Sequence, residues 1–231
     1  MCLPTVIAID GSAASGKSTL GQRLAQRLNY LYFDTGAMYR AVTWACQERH
    51  LPADDEAAVS SLAEGLHIQI EPPTVNDGRQ YTVLADGQDI TWQIRTPRVD
   101  AAVAQVSSYP RVRKALIARQ RHIGRRGQVI MVGRDIGTVV LPEADLKLFI
   151  DASLEERARR RFRECRARGE AVEYETVLAA MKRRDRIDRE KPISPMVPAP
   201  DAIPINTDGR TVEAVLAQIE ALVFARCQVG S

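Results

Sequence analysis

Histidine and cysteine, the side chains that most often supply general bases, nucleophiles and zinc ligands, are scarce in this chain of 231 residues. It has 3 histidines and 4 cysteines. The cysteines form no C-x-x-C pair, so the sequence indicates neither a zinc site nor a disulfide framework. The histidines, His50, His67 and His122, stand far from every motif described below, and we assign them no role. The composition therefore points away from Ser-His-Asp chemistry.

Long apolar runs are also missing, so the sequence predicts no membrane-spanning helix. The first predicted strand begins a few residues after Met1, which leaves no room for a secretory signal peptide. Together with the scattered cysteines, this predicts a soluble protein of a reducing compartment, the cytoplasm. The length is sufficient for one core with insertions.

Lysine is the third scarce residue, because 27 of the 32 basic side chains are arginine and only 5 are lysine. The net charge of +3 is mild and does not by itself indicate a nucleic-acid partner. The arginine bias agrees with a biased genomic composition. It agrees equally with a surface that binds phosphates through bidentate guanidinium groups.

The clearest motif that is present is IDGSAASGKST, residues 9–19. It follows a β-branched apolar run at residues 5–9, which predicts a buried strand. It precedes leucines spaced four residues apart, at Leu20, Leu24 and Leu28, which predict one face of a helix. Between the two, the pattern G-x-x-x-x-G-K-[ST] is matched by Gly11, Gly16, Lys17 and Ser18.

This spacing predicts a site for a nucleoside triphosphate. Backbone amides of such a loop and the start of the following helix attract an anion, and glycine lets the backbone approach it closely. Lys17 supplies a charge for the β- and γ-phosphates, and the Ser18 hydroxyl is a ligand for Mg²⁺. A turn of small residues that binds nothing is the less favoured alternative.

The rest of the chain predicts an α/β protein with a parallel sheet covered on both sides. Apolar runs predict strands near Leu31 and in GQVIMVG, DLKLFID and DAIPIN, the last at a sheet edge because of Pro204. Helices are expected between them, one opened by Pro52 and another opened by Pro110 with Gly124 just past its end. Alternating runs and Asn/Asp-Gly turns over residues 67–94 predict an antiparallel β insertion.

Two polar clusters are expected at the carboxyl edge of the sheet, where ligands of open parallel sheets bind. VGRDIGT places Arg134 and Asp135 directly after a predicted strand, and DTGAMYR places Thr35 and Arg40 after another. A structural ion pair between Arg134 and Asp135 is the alternative reading.

A third cluster lies in MKRRDRIDREKP, for which helical spacing predicts one shared face. That face would carry Met181, Arg184, Ile187, Asp188 and Lys191. A solvated i,i+4 charge pair is the alternative interpretation.

An arginine-rich segment, DASLEERARRRFRECRARGE, begins at residue 151 with a capping box formed by Ser153 and Glu156. Because it follows a core strand by a few residues, we interpret it as a hinged lid over a polyphosphate. Lys17, Arg157 and Arg161 are the candidate catalytic cations, and a charged solvated helix is the alternative.

Taken in order, DGSAASGKST, DTGAMYR, YPRVRKALIARQR, GRDIGT, FIDASLEERARRR and RRDRIDREKPISPM resemble the bacterial cytidylate kinase family over essentially the whole chain. The resemblance implies a P-loop NTPase three-layer fold with a five-stranded parallel sheet. It also implies a β-rich monophosphate-binding insertion and a short Arg-rich helical lid. A single domain is expected, with its core at 1–62, 96–152 and 172–231, the insertion at about 63–95 and the lid at about 153–171.

The resemblance also implies site residues. The ATP site would comprise Gly11, Ser12, Ala13, Ala14, Ser15, Gly16, Lys17, Ser18, Thr19 and Arg160. The CMP site would comprise Thr35, Arg40, Arg111, Arg134, Asp135, Arg184, Asp188 and Lys191. Within it, Arg40 and Arg134 would bind phosphate, Arg111 and Asp135 would read cytosine, and Arg184 and Asp188 would contact ribose. Two positions depart from the family: Ala104 replaces a serine that contacts the base in some members, and Lys191 replaces a phosphate-binding arginine.

The implied activity is transfer of the γ-phosphoryl group of ATP, with Mg²⁺, to CMP or dCMP in pyrimidine nucleotide metabolism. We expect a cytoplasmic monomer with small-molecule substrates, no nucleic-acid partner and no membrane partner. Kinases for UMP, AMP or shikimate are the alternatives among enzymes. A P-loop switch or nucleic-acid-binding regulator is the alternative from another class, but the D-x-x-G and N-K-x-D patterns of a GTPase switch do not occur.

Overall fold

The computed structural model describes residues 3–167, 169–190 and 194–229, with side chains described as far as residue 226. The strands are β1 (Val6–Asp10), β2 (Leu31–Asp34), β3 (Ile68–Glu71), β4 (Thr82–Ala85), β5 (Gln88–Asp89), β6 (Val129–Val132), β7 (Leu146–Asp151) and β8 (Ile203–Asn206). The α-helices are α1 (Lys17–Leu28), α2 (Gly36–Glu48), α3 (Glu56–Gly65), α4 (Pro97–Val106), α5 (Pro110–Gly124), α6 (Leu154–Ala167), α7 (Tyr174–Glu190) and α8 (Val212–Val229). A 3₁₀ turn covers Gln93–Arg95 and a π turn covers Ile136–Val140.

The chain divides into two compact units. The first is built from Met1–Asn29 and Ile130–Ser231, and the second from Tyr30–Val129. No helix of the described residues is long and apolar enough to cross a membrane.

Five strands form one sheet in the order β2-β6-β1-β7-β8. Strand β7 pairs in parallel with β1, where Ile7 lies opposite Leu146, and with β8, where Leu148 lies opposite Ile203. The middle of β1 is apolar and fully buried, as expected for a central strand covered on both faces. Pro204 lies in the edge strand β8, where a missing backbone N–H is tolerated. The predicted five-stranded parallel sheet is confirmed.

Helix α1 begins directly after the glycine-rich loop, and α8 packs beside it. Leu20 and Leu24 are buried as the four-residue spacing predicts, whereas Leu28 is only partly buried. Exposed ion pairs add contacts between the two helices, from Arg23 to Glu213 and from Arg27 to Glu220 at 2.6 Å. The buried face of α8 carries Val215, Leu216, Ile219 and Val223.

The second unit contains the predicted β insertion as a three-stranded antiparallel sheet in the order β3-β4-β5. The buried Arg79 side chain connects the loop before β4 to β5, through Asp77 at 2.7 Å and Asp89 at 2.5 Å. The predicted start of α3 at Pro52 is wrong. The helix begins after Asp55, whose carboxylate accepts the Ala58 N–H and so caps the first turn.

Candidate active site

The glycine-rich loop between β1 and α1 requires glycine at both ends. Gly11 has φ +148°, and a Cβ added there would lie 1.9 Å from the carbonyl oxygen of Ile150 in the neighbouring strand β7. Gly16 has φ +95° and precedes the first helical residue without any side-chain cap. Positive φ and the close approach of another backbone segment both favour glycine. The backbone conformation of the loop therefore requires the two glycines of the motif.

Three carbonyl oxygens of this loop point toward arginines outside it. Arg134 donates to Gly11, Arg157 donates to Ala13 and Arg160 donates to Ser15, each from Nη1 at 3.4 Å. Every second carbonyl thus faces a cation from another segment of the same unit. The contacts place three of the predicted site arginines around one loop.

Polar side chains of the loop are held close to the backbone. Lys17 donates from Nζ to the Ser12 carbonyl oxygen at 2.7 Å, and the Ser12 hydroxyl donates to Asp151. The Ser15 hydroxyl is fully buried, and within the described part of the chain it has no hydrogen-bond partner. A buried hydroxyl of this kind is available to a polar ligand.

Ser18 and Thr19 are exposed on the first turn of α1. A hydroxyl is a hard oxygen ligand, so the exposed Ser18 side chain, next to Lys17, fits an Mg²⁺ ion that arrives with nucleotide phosphates. Ala13 and Ala14 are half-buried and pack against an apolar cluster formed by α6 and α7. Small residues are therefore needed on that side of the loop.

The predicted lid arginines of α6 lie in three different environments. Arg157 is 2% exposed and makes a bidentate ion pair with Asp185 of α7, at 3.1 and 2.6 Å. Arg160 donates to the Thr207 carbonyl oxygen at 2.7 Å and to its hydroxyl at 3.0 Å. Arg161 is exposed and pairs with Glu164 on its own helix.

The face predicted for helix α7 is divided in the structure, because Met181 and Asp188 are buried whereas Arg184 and Ile187 are exposed. The buried residues are Val177, Met181, Asp185 and Asp188. Ile187 is 48% exposed, so placing it on a face shared with Met181 is wrong. Met181 and Asp185, four residues apart, lie on the side of α7 against which α6 packs, and they are therefore buried. The same packing brings Arg157 of α6 opposite Asp185.

Arg134 and Asp135 follow β6 and lie beside the loop. The Gly133 N–H donates to the Ile9 carbonyl oxygen at 3.0 Å, which holds the two strand ends side by side. Arg134 forms an ion pair through Nε with Asp188, at 2.9 Å. The carboxylate that it pairs with is therefore not that of Asp135, which was the alternative reading. Arg184 is largely exposed, with Nε 4.0 Å from Asp188. The predicted site residue Lys191 lies outside the described residues.

Asp10, the last residue of β1, is a part of this region that the motif analysis missed. It is 4% exposed and accepts the N–H groups of Ile136 and Gly137 at 2.7 Å each. Burial raises the pKa of its carboxyl group to about 6, although the two backbone hydrogen bonds and Lys17 act in the opposite direction. Its only sequence signal is a carboxylate directly before the first glycine of the loop.

Three predicted acceptor residues lie in the second unit. Thr35 is buried at the start of α2, where the Gly36 N–H donates to the Asp34 carboxylate. Arg40 donates to the Ile94 carbonyl oxygen at 3.1 Å and pairs with Asp100.

Arg111, the third, makes a bidentate contact with Glu64 at 3.0 and 2.8 Å, which lowers the pKa of that carboxyl group. The guanidinium of Arg111 therefore contacts Glu64, whereas that of Arg40 contacts Asp100. Ala104, at the position of the family serine, is exposed on α4.

Comparison with known proteins gives a consistent result. The family model described as cytidylate kinase matches residues 7–224. The chain is 49% identical over 228 residues to a cytidylate kinase of Herpetosiphon aurantiacus, covering 99% of this chain and 98% of that protein. It is 50% identical over 226 residues to one of Chloroflexus aggregans, covering 97% and 96%.

A crystal structure of an uncharacterized protein from Eubacterium ventriosum aligns with a TM-score of 0.50 and 12% identity, over 94% of this chain and 96% of that one. This likeness concerns the fold alone. The family match and the curated relatives both span nearly the whole chain and confirm the resemblance seen in the motifs: the chain belongs to the cytidylate kinase family.

Proposed function

We propose that this chain transfers the γ-phosphoryl group of ATP to CMP or dCMP, giving ADP and CDP or dCDP. Membership of the cytidylate kinase family carries the proposal. The geometry supports it, because the glycine-rich loop leads into the start of α1 and is contacted by Arg134, Arg157 and Arg160, an arrangement of positive charge that suits a triphosphate.

The reaction needs no general base from the protein. The acceptor is a phosphate whose second pKa is about 6, so most of it is already a dianion at neutral pH. What the site must do is bring two polyanions into line and neutralise the charge of the transferring group. We assign this role to Lys17, Arg157 and Arg161, with Arg160 on the donor nucleotide.

Mg²⁺, held by Ser18 and the nucleotide phosphates, would supply further positive charge to the transferring group. The buried hydroxyl of Ser15 and the loop amides would hold the phosphates of ATP. The residues of the loop that contact ATP in this proposal are Gly11, Ser12, Ala13, Ala14, Ser15, Gly16, Lys17, Ser18 and Thr19.

Cytosine is distinguished from uracil by the order of its donors and acceptors. Cytosine offers acceptors at O2 and N3 and a donor at N4, which Arg111 and Asp135 can match as donor and acceptor. Uracil reverses the pattern at N3 and position 4 and would leave buried polar groups unpaired. Arg40 and Arg134 would bind the acceptor phosphate, with Lys191, while Thr35, Arg184 and Asp188 complete the site.

We place the enzyme in the cytoplasm, as a monomer acting on small molecules without nucleic acid or membrane partners. The state of Cys46 supports the compartment, because this buried thiol is not part of a disulfide. Burial raises the pKa of the Cys46 thiol to about 11, so it is not a reactive thiolate.

The test is ADP production from MgATP with CMP, dCMP, UMP, AMP, GMP or no acceptor. Turnover with CMP and dCMP far above the other acceptors supports the proposal. Comparable turnover with UMP would mean that Ala104 loosens base reading. ATP hydrolysis that is indifferent to every acceptor would contradict it, and strongly salt-dependent binding to DNA or RNA would then favour the regulator alternative.

A further inference from the structure

A buried carboxylate joins the two loops on which the proposed reaction depends. Asp10 ends β1 and directly precedes Gly11 of the glycine-rich loop. Its two carboxylate oxygens accept one N–H each, from Ile136 and Gly137, at 2.7 Å. These amides open the π turn that follows Arg134 and Asp135.

Because both oxygens are used, Asp10 fixes the second loop in two directions. The Asp135 carbonyl oxygen accepts the N–H groups of Val139 and Val140 at 2.9 and 3.1 Å, so the turn that Asp10 holds begins at the proposed base reader. Two other contacts run beside this one, from Gly133 to Ile9 and from Arg134 to Gly11.

A carboxylate is a costly choice for such a link. Asp10 is 4% exposed, and removing a charged carboxylate from water is unfavourable unless it gains strong partners. A buried charge that accepts two backbone N–H groups gives shorter and more directional bonds than a neutral acceptor. The arrangement therefore favours precise placement over stability.

The opposite edge of the same sheet offers a comparison. Asp145, directly before β7, accepts the N–H groups of Thr5 and Val6 at 2.8 and 2.9 Å and the Thr5 hydroxyl at 2.9 Å. This carboxylate holds the start of β1, whereas Asp10, at the end of β1, holds the turn that follows β6. Asp145 has no loop of the proposed site beside it.

We propose that Asp10 is a positioning residue that sets the place of Asp135 relative to the glycine-rich loop and thereby the discrimination between CMP and UMP. The inference rests on the proposed function, in which Asp135 reads the base. It predicts that a substitution of Asp10 lowers turnover of CMP more than turnover of UMP. The reason is that cytosine has an N4 donor for the Asp135 carboxylate, whereas uracil has an acceptor at that position.

The test is Asp10→Asn, which keeps the size of the side chain but turns one acceptor into an NH₂ group facing a backbone N–H. We expect the turn to shift so as to relieve the unpaired amide, and the resulting misplacement of Asp135 to lower kcat/KM for CMP roughly 10- to 100-fold. We expect the ratio of kcat/KM for CMP over UMP to fall at least about fivefold, while KM for ATP changes less than about threefold.

Asp145→Asn is the matched control, since it makes the same chemical change at the other edge of the sheet. We expect it to lower thermal stability and to leave the CMP-to-UMP ratio unchanged. An unchanged ratio in Asp10→Asn, or an equal change in Asp145→Asn, would overturn the proposal. If the wild-type protein does not phosphorylate CMP, the proposed function itself fails, which is a separate result.

A second variant keeps the test decisive if Asp10→Asn does not fold. A Cβ added at Gly137 would lie 3.4 Å from Asp10 Oδ2 and 3.1 Å from Cδ of Lys147. Gly137→Ala would crowd the Lys147 side chain and reach ordinary contact with Asp10, so it disturbs the turn that Asp10 holds without changing any charge. A ratio reduced by about twofold or more supports the proposal, and a folded variant with the wild-type ratio contradicts it.

Discussion

The amino and carboxyl edges of the five-stranded parallel sheet use the same kinds of residue for different purposes. At the amino edge, Asp145 caps the start of β1, and the buried Lys147 donates to Asp201 at 2.9 Å. At the carboxyl edge, glycines with positive φ and a buried hydroxyl without a partner in the described chain surround one loop. The carboxylates described at the amino edge contact groups of the protein, whereas the carboxyl edge is where we propose that the nucleotide binds.

The largest expected difference between the edges comes from the backbone of the loop. Gly11→Ala would place a Cβ 1.9 Å from the Ile150 carbonyl oxygen at a φ that side chains rarely adopt. We expect a loss of about 4 kcal/mol in the free energy of unfolding and no measurable kinase activity. Urea denaturation measures the first and ADP production the second.

Gly65→Ala is the control for that change, because nothing lies within 4 Å of the added Cβ and the residue ends a helix. It should be neutral or slightly stabilising. Similar losses in the two variants would mean that the close approach of Gly11 to β7 has no special importance.

Next in size is the effect of the loop lysine. Lys17→Ala should reduce kcat about a thousandfold while CMP binding stays largely intact, because the ammonium acts on the transferring group. Single-turnover kinetics and titration calorimetry with CMP separate the two quantities. Lys182→Ala, an exposed lysine of α7 in the same unit, should change neither. A loss of CMP binding equal to the loss of rate would refute this division of roles.

A smaller effect should appear in the pH dependence of stability. Burial raises the pKa of the Asp10 carboxyl group from 3.8 to about 6, so the folded state binds this proton more tightly than the unfolded chain does. The free energy of unfolding should therefore decrease as pH rises through the interval between those values. Between about pH 4.5 and pH 7.5 the wild-type protein should lose about 2 kcal/mol more than Asp10→Asn.

Denaturation curves at several pH values measure this difference, with Asp145→Asn as the reference for a carboxylate at the amino edge. If the wild-type and Asp10→Asn stabilities change in parallel with pH, the carboxylate is not the origin of the effect.

The smallest prediction asks how far the ligand-binding edge extends along α6. Arg161 is exposed and its guanidinium pairs with the exposed Glu164 at 3.2 Å, so Arg161→Ala should change stability by less than about 0.5 kcal/mol. We expect kcat to fall about tenfold, since the side chain would act on the transferring group. Arg163→Ala, another exposed arginine of the helix, is the control. Equal effects of the two substitutions on kcat would mean that Arg161 contributes only the general positive charge of the helix and has no specific contact with the transferring group.

Local signals predicted the elements that local chemistry determines. The strand, glycine-rich turn and helix around Lys17, the edge position of Pro204 and the antiparallel insertion all follow from residue type and spacing. Ser153 accepts the Glu156 N–H at 3.3 Å, which is one half of the predicted capping box. The other half does not form, because the Ser153 N–H donates to Asp208 at 2.9 Å.

Long-range pairings could not be read from the sequence. Nothing in the spacing of α7 says that Asp185 faces Arg157, since 28 residues separate them and α6 decides which face is covered. For the same reason the spacing alone groups Ile187 with Met181, although Ile187 is exposed and Met181 is buried. The role of Asp10 was hidden because its partners are backbone amides far along the chain, which carry no side-chain signature.

The contact of Lys17 with the Ser12 carbonyl oxygen, at 2.7 Å, has a consequence for energetics. An ammonium has three N–H donors, so under the proposed function Lys17 would keep this contact while it donates to a phosphate oxygen of ATP. That second interaction would strengthen as negative charge spreads over the equatorial oxygens of the transferring group. The carbonyl oxygen would thus fix the ammonium in advance where charge develops, and a charge placed in advance needs no reorganisation during the reaction.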